Sequence, residues 1–185
     1  MLLTALSVAI LAWAFLEASF WWMAPDISIC IAYVQSPAHW RKFMIVALVG
    51  AFLGSAVTYA WAHSDPTGWE HAVSGMRFHS QQNIDRAAQS LDDPGWAIVK
   101  GAWQGIPYKL FFGAAGEQGR AFWPLAAWGL ASRALRFSFS LAVTVGLRSV
   151  ARPFSTRRPW AFSAVLMGIW IAMIVLFDVV INARL

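Results

Sequence analysis

The sequence is nearly without cysteine. Cys30 is the only one, so an intrachain disulfide is excluded, and its position inside an apolar run marks it as a small buried hydrophobe. Charge is scarce too, at 12% of residues where a soluble domain carries about 25%. Recognisable catalytic signatures are missing: there is no G-x-S-x-G, H-E-x-x-H or P-loop, and the serines of the apolar segments have no histidine near them. The chain is therefore not read as an enzyme; an intramembrane lipid hydrolase is a weak rival. No cofactor and no metal is expected. His63, His71 and His79 recur at spacings of eight, which no zinc pattern requires. A nucleic-acid module of interleaved aromatic and basic residues is absent as well. The formal net charge of +5 instead signals membrane topology and anionic headgroups.

What the chain does have is hydrophobic length. Hydrophobic residues make up 59% of the 185, in stretches long enough to cross a bilayer, and 12 Trp and 3 Tyr suit interfacial belts. This indicates an all-α integral membrane protein forming a single domain over 1–185. The apolar start has no basic n-region and continues past Glu17, so it reads as part of that domain and not as a cleaved leader. Residues 2–36 are too long for one span of about 20 residues and too short for two plus a turn. A short N-terminal helix followed by a re-entrant hairpin bent near Pro25 fits them better. Residues 43–62 carry no charge and form the cleanest span. Residues 63–95 form a polar extramembrane insert, with a surface helix available over 70–91. Residues 96–116 contain Lys100, Gly105, Pro107 and Lys109 and resemble a second broken hairpin. Spans follow over 121–147 and 160–182.

The units are thus 14–62, hairpin plus span; 63–95, insert; 96–147, hairpin plus span; and 160–182, last span. With both hairpins re-entrant, three full spans cross. Residues 39–42 and 148–158 then share a side holding six Lys/Arg and no acid. The insert falls opposite, with Asp65, Glu70, Asp85, Asp92 and Asp93 against Arg77 and Arg86. The positive-inside rule makes the basic loops cytoplasmic and the insert external. Two opposed hairpins, each followed by a span, amount to an inverted repeat, a layout that puts the substrate site near the midplane in many transporters.

Within this layout the titratable residues are few. Glu17 and Asp26 lie nine positions apart, on opposite sides of a continuous helix at about 100° per residue. A bend at Pro25 is what would turn both towards one cavity. Carboxylates at membrane depth are normally functional, here as proton-titrating or cation-pairing groups. The bland alternative has Asp26 capping the half-helix after Pro25 and Glu17 in a static ion pair. Arg133 and Arg136 stand three apart on one face of a span and need acceptors, either those carboxylates or an anionic headgroup. Lys109 either meets a phosphate or snorkels to an interface. Gly50/Gly54 and Gly113/Gly116 permit close helix approach. Arg148, Arg152, Arg157 and Arg158 read as topology determinants, with anionic-lipid binding the sharper alternative.

The order E-x(7)-P-D, V-G-A-F-L-G-S-A-V-T-Y, G-I-P-Y-K-L-F-F-G-A-A-G and F-W-P-L-A-A-W-G-L-A-S-R-A-L-R-F resembles the DedA/VTT superfamily, the SNARE-associated Golgi proteins. It is most similar to the small YqaA-like bacterial branch, and the resemblance spans about residues 14–140. It implies a multi-pass protein of the bacterial inner membrane that translocates an anionic lipid, as a flippase or scramblase for polyprenyl phosphate or phospholipid, with protons as a coupled partner. On the matching positions, Glu17 and Asp26 would be the acidic pair and Lys109, Arg133 and Arg136 the basic partners. The chain departs from the family at three points. Asp26 stands where many members have Glu, Gln104 where an Arg precedes the hairpin proline by three, and Lys109 in place of a second arginine. A fixed cation is thus lost, and Lys meets phosphate as a point charge, without the guanidinium fork. Membrane lipids are the expected partners, and a homodimer would help so small a chain bury its hairpins. The rival from another class is a structural or assembly membrane protein without transport activity.

Overall fold

Helix propensity and hydrophobic length decide the architecture before any side-chain chemistry does. In the computed structural model the described residues, 1–21, 23–76 and 81–182 (the side chains of 94, 174 and 177–182 excepted), form helices and no strands. In chain order these are α1 (Leu2–Ser19), α2 (Asp26–Gln35), α3 (Trp40–Ser64), α4 (Pro66–Ser74), α5 (Gln81–Gln89), α6 (Pro94–Gln104), α7 (Tyr108–Glu117), α8 (Phe122–Val150), α9 (Arg152–Arg157) and α10 (Pro159–Asn182). Three of them, α1, α3 with the 3-10 turn before it, and α8, are long and apolar enough to cross a membrane. Arg77 and His79 lie outside the described residues.

Two of the expected spans, 43–62 and 121–147, coincide with α3 and α8. The third expected span is α10, helical over 24 residues, although its described apolar stretch, Pro159–Met173, is by itself shorter than a full span. The start of the chain differs from expectation. There is no separate short N-terminal helix with a hairpin beginning near residue 14; α1 is one unbroken helix of 18 residues. The reason is local, since neither Gly nor Pro interrupts residues 2–19. At 1.5 Å per residue it is about 27 Å long, close to the roughly 30 Å hydrocarbon core.

The chain breaks twice inside apolar sequence. The first break is Phe20–Pro25, between α1 and α2. Several of its described backbone polar groups find partners, which is what a break away from water requires. The Phe20 and Trp21 amides donate to the Leu16 carbonyl at 2.8 and 2.7 Å, Trp13 Nε1 donates to Met23 O at 3.0 Å, and Lys109 Nζ donates to Trp21 O at 2.5 Å. The second break is Gly105–Pro107. Gly105 takes the left-handed conformation, φ 78°, and closes α6 while the Ile106 amide reaches back to Gly101 O at 3.0 Å, a helix end that glycine reaches without a Cβ penalty. Pro107 then stands at the N-cap of α7, where its missing N–H is no loss.

Small residues set the closest packing. α1 lies against α3, where Gly54 faces Phe15 O and Ala18 and Thr58 Oγ1 donates to Ala18 O at 2.8 Å. α3 also holds α7: the Tyr59 hydroxyl donates to Arg120 O at 2.6 Å, and His63 Nδ1 lies 3.0 Å from Gly116 O.

The insert is more than a polar surface. In place of one helix over 70–91 it forms α4 and α5, and Trp69, Val73, Ile84, Ala87 and Leu91 are buried in one cluster with Leu110, Phe111 and Phe112 of α7. Asp65 caps α4 by accepting from the Gly68 amide at 2.9 Å, with Pro66 at the first helical position. Nine-residue helices need only two or three apolar residues to dock, so the insert could read as polar overall and still bury a face.

Candidate functional site

All five titratable residues singled out in the sequence line one cavity of about 380 Å³, framed by the first break, the second break and α8. Each arrives there for a local reason. Glu17 sits on the last turn of α1, and Asp26 opens α2 immediately after Pro25. The chain reverses between them, so two residues on opposite sides of a straight helix both face the cavity. Arg133 and Arg136 project from one face of α8, and Lys109 follows the Pro107 break on α7.

The carboxylates and arginines pair in order. Arg133 Nη2 donates to Glu17 Oε1 at 2.7 Å and lies 2.6 Å from Oε2. Arg136 Nε donates to Asp26 Oδ2 at 2.8 Å. The Arg133 guanidinium also stacks 4.1 Å above the Tyr108 ring, a cation–π contact strengthened by loss of water. The two pairs differ in access. The Glu17 and Arg133 side chains are 10% and 4% exposed, so that pair is sealed. Asp26 is wholly covered, but 31% of the Arg136 side chain is exposed, and it reaches the cavity with hydrogen-bonding capacity to spare.

Several buried groups remain unsatisfied. Asp26 Oδ1 and Arg133 Nε have no hydrogen-bond partner, and Glu17 Oε2, though beside Arg133, lies outside hydrogen-bond geometry. Buried polar atoms without partners are uncommon in folded proteins and call for an explanation. They face a cavity where a ligand or water could serve them.

Two of the alternatives left open by the sequence are set aside. Asp26 does not cap α2; its side chain makes no capping bond and is committed to Arg136. Lys109 does not snorkel, because it is 1% exposed and too deeply enclosed by α7 and the first break to reach an interface. Its Trp21 carbonyl partner could not be foreseen, since a backbone acceptor leaves no trace in composition. Among the described residues no carboxylate lies within ion-pair distance of Lys109 Nζ, so the cavity holds three cations against two anions. Cys30 is buried and free, its thiol facing Ser140 O at 3.6 Å.

The remaining lining completes the site. Tyr108, Ser132 and Ser140 add hydroxyls near the charges, while Trp103, Phe139, Trp170 and Met173 form an apolar side. A second cavity, about 470 Å³, lies under the insert beside Arg86, Asp93 and Lys100 and contains none of the five. No protein-family model, curated protein or solved structure matches the chain, so the chemistry of this cavity rests on its own geometry. That geometry gathers Lys109, Arg133 and Arg136 with Glu17 and Asp26 around one cavity.

Proposed function

We propose that the protein translocates an anionic lipid across a bacterial inner membrane, receiving the headgroup in the cavity between the two chain breaks. The observation that carries this reading is the excess of buried cation: Lys109, Arg133 and Arg136 against Glu17 and Asp26, in a cavity that opens on an apolar flank. A buried charge without a counter-ion is costly, and a monoanionic headgroup, such as a phosphodiester, would neutralise this one. Arg136 and Lys109 would meet the phosphate first. Glu17 and Asp26 would compete for the cations and let the headgroup go when protonation changes.

In this reading the end of α1 with α2, and α6 with α7, are bent at the two breaks into opposed re-entrant hairpins, each followed by a long helix, and the two halves form an inverted repeat. The resemblance of the quoted motifs to those of the DedA/VTT superfamily points to the same substrate class. The distribution of Lys and Arg supports loops 39–42 and 148–158 in the cytoplasm and the insert outside. A homodimer would cover the exposed outer face of the hairpins.

One observation favours a different reading. Both arginines already have carboxylate partners, which is what a structural or assembly protein would need and no more. Translocation in proteoliposomes separates the two. Labelled phospholipid and polyprenyl phosphate are compared, with and without a pH gradient, for wild type, Glu17→Gln and Arg136→Gln. Wild-type movement lost in well-folded variants supports transport. Folded wild-type protein that moves neither lipid supports the structural reading.

A further inference from the structure

We propose that the apolar mouth of the cavity, formed by Trp103 on α6, Phe139 on α8 and Trp170 and Met173 on α10, holds the hydrocarbon chain of the lipid while its headgroup lies among the charges; this rests on the transport reading above. The cavity has two chemically distinct ends. Its floor carries Glu17, Asp26, Lys109, Arg133 and Arg136, and its mouth carries no charge among the described residues. The mouth residues belong to two surfaces at once: they line the cavity, yet Trp103 is 58%, Phe139 55% and Met173 53% exposed. The cavity therefore runs from a buried ionic floor to the outer apolar surface of the helix bundle. On a helix long enough to cross the bilayer, such as α8, that surface meets acyl chains and not water.

The helix arrangement keeps the mouth open. α10 packs mainly on α2 and α9, and α8 on α2, α3 and α6, so α8 and α10 flank the cavity without closing over it. Trp103 meets Phe139 edge-on, 5.3 Å between centroids at 78°, and the pair makes one firm side of the opening. Volume points the same way. About 380 Å³ is near the lower end of small-ligand pockets, roughly 300–1,000 Å³. It accommodates a headgroup and the beginning of a chain but not a whole lipid, so the rest of the chain must leave through the mouth. A small water-soluble anion would have to cross this apolar rim without solvation, whereas an amphiphile matches both ends. The cationic excess of the floor selects an anionic amphiphile.

The test uses the full chain in vesicles containing phosphatidylglycerol with a photoactivatable diazirine midway along one acyl chain, and labelled positions are mapped by mass spectrometry. The expected result is labelling of Trp103, Phe139, Trp170 and Met173 several-fold above Ile45, Val49 and Leu53, which are exposed on α3 to an extent comparable with Trp103, Phe139 and Met173. Excess unlabelled phosphatidylglycerol should suppress it more than phosphatidylcholine with the same chains. Uniform labelling of α3 and α8 overturns the proposal, as does a protein–protein cross-link through Phe139 that excludes lipid, because a second copy would then cover the mouth. Phe139→Ser is compared with Leu53→Ser in parallel; only the first should lower mouth labelling. Lipid that moves with the mouth unlabelled removes this chain path and leaves transport standing. A labelled mouth with no movement leaves the chain site and removes transport.

Discussion

Replacing Glu17 by Gln should destabilise the protein far more than replacing Asp26 by Asn, although each change removes one carboxylate facing one arginine. The magnitude follows from geometry. Arg133 Nη2 lies 2.6 Å from Glu17 Oε2, and at an effective dielectric constant near 20 that contact is worth about 6 kcal/mol of attraction. The Gln amide oxygen can still accept from the guanidinium, recovering about 1.5–3 kcal/mol. The net loss is about 3–5 kcal/mol, the range found when one partner of a buried pair is removed. Asp26→Asn leaves Arg136 instead, and that side chain is 31% exposed. It can turn towards the cavity and be solvated, so the loss is discounted to about 1 kcal/mol.

The assay is reversible unfolding in mixed micelles followed by helicity, on both single variants, on Arg133→Gln, and on Glu17→Gln with Arg133→Gln. The double variant no longer buries a lone charge, so its loss should fall short of the sum by about 2–3 kcal/mol. The reasoning is refuted if Glu17→Gln costs under about 1 kcal/mol, if the two changes add without coupling, or if Asp26→Asn is the more damaging.

Three further outcomes are expected. Lys109→Met should change stability by no more than about 1 kcal/mol, since removing a buried ammonium offsets the loss of the donor to Trp21 O, while abolishing lipid movement; unfolding and translocation measured on the same preparation check this, and lost stability with intact transport would make Lys109 a tie between α7 and the first break. Gly54→Ala puts a Cβ 2.4 Å from Phe15 O and 2.7 Å from Ala18 Cβ and should cost about 1–3 kcal/mol by forcing α1 from α3. Gly146→Ala, with nothing within 4 Å of its new Cβ, should gain up to about 1 kcal/mol from helix propensity alone, and equal effects of the two in the same unfolding assay would deny the close approach. Finally, in a Cys30→Ala background, Glu70→Cys and Arg157→Cys should react with an impermeant maleimide from opposite faces of sealed vesicles; reaction from one face contradicts the assigned orientation.

The parts of the fold that depend on local pattern could be read from the sequence. A run from Phe43 to Ala62 without charge has one good solution at membrane depth, a helix, and α3 takes it. Pro25 and Pro107 mark breaks for the same local reason, because neither supplies the amide a continuing helix needs. The gathering of Glu17, Asp26, Arg133 and Arg136 followed from the bend plus the cost of lone buried charge. Less legible were the features that depend on what a residue meets in space. The order of pairing, Glu17 with Arg133 and Asp26 with Arg136, depends on how α8 crosses the first break, and spacing within α8 does not encode that crossing. The insert was underread because Trp69 and Val73, and then Ile84, Ala87 and Leu91, do follow helical spacing but are diluted by polar neighbours. The separate N-terminal helix was inferred from total length, when the absence of any breaker before Ser19 was the better guide.

The asymmetry of the cavity also bears on why a fold would keep Lys109 at all. Each of the two ion pairs is already neutral, and a hydrophobic replacement of similar volume at a buried ionic position is often neutral or stabilising. A protein selected only for assembly would lose little by carrying Met or Leu at residue 109. Lys109 is held in place instead, 1% exposed, with its ammonium on the carbonyl of an unwound segment and no carboxylate of its own among the described residues. On the proposed transport reading, such a group is kept because activity requires it. An arriving anion removes the penalty, and can do so without breaking either existing pair. The first contact then needs no rearrangement of Glu17 or Arg133. On the proposed transport reading, partner exchange would begin at Arg136, whose side chain is 31% exposed, and reach the sealed pair last.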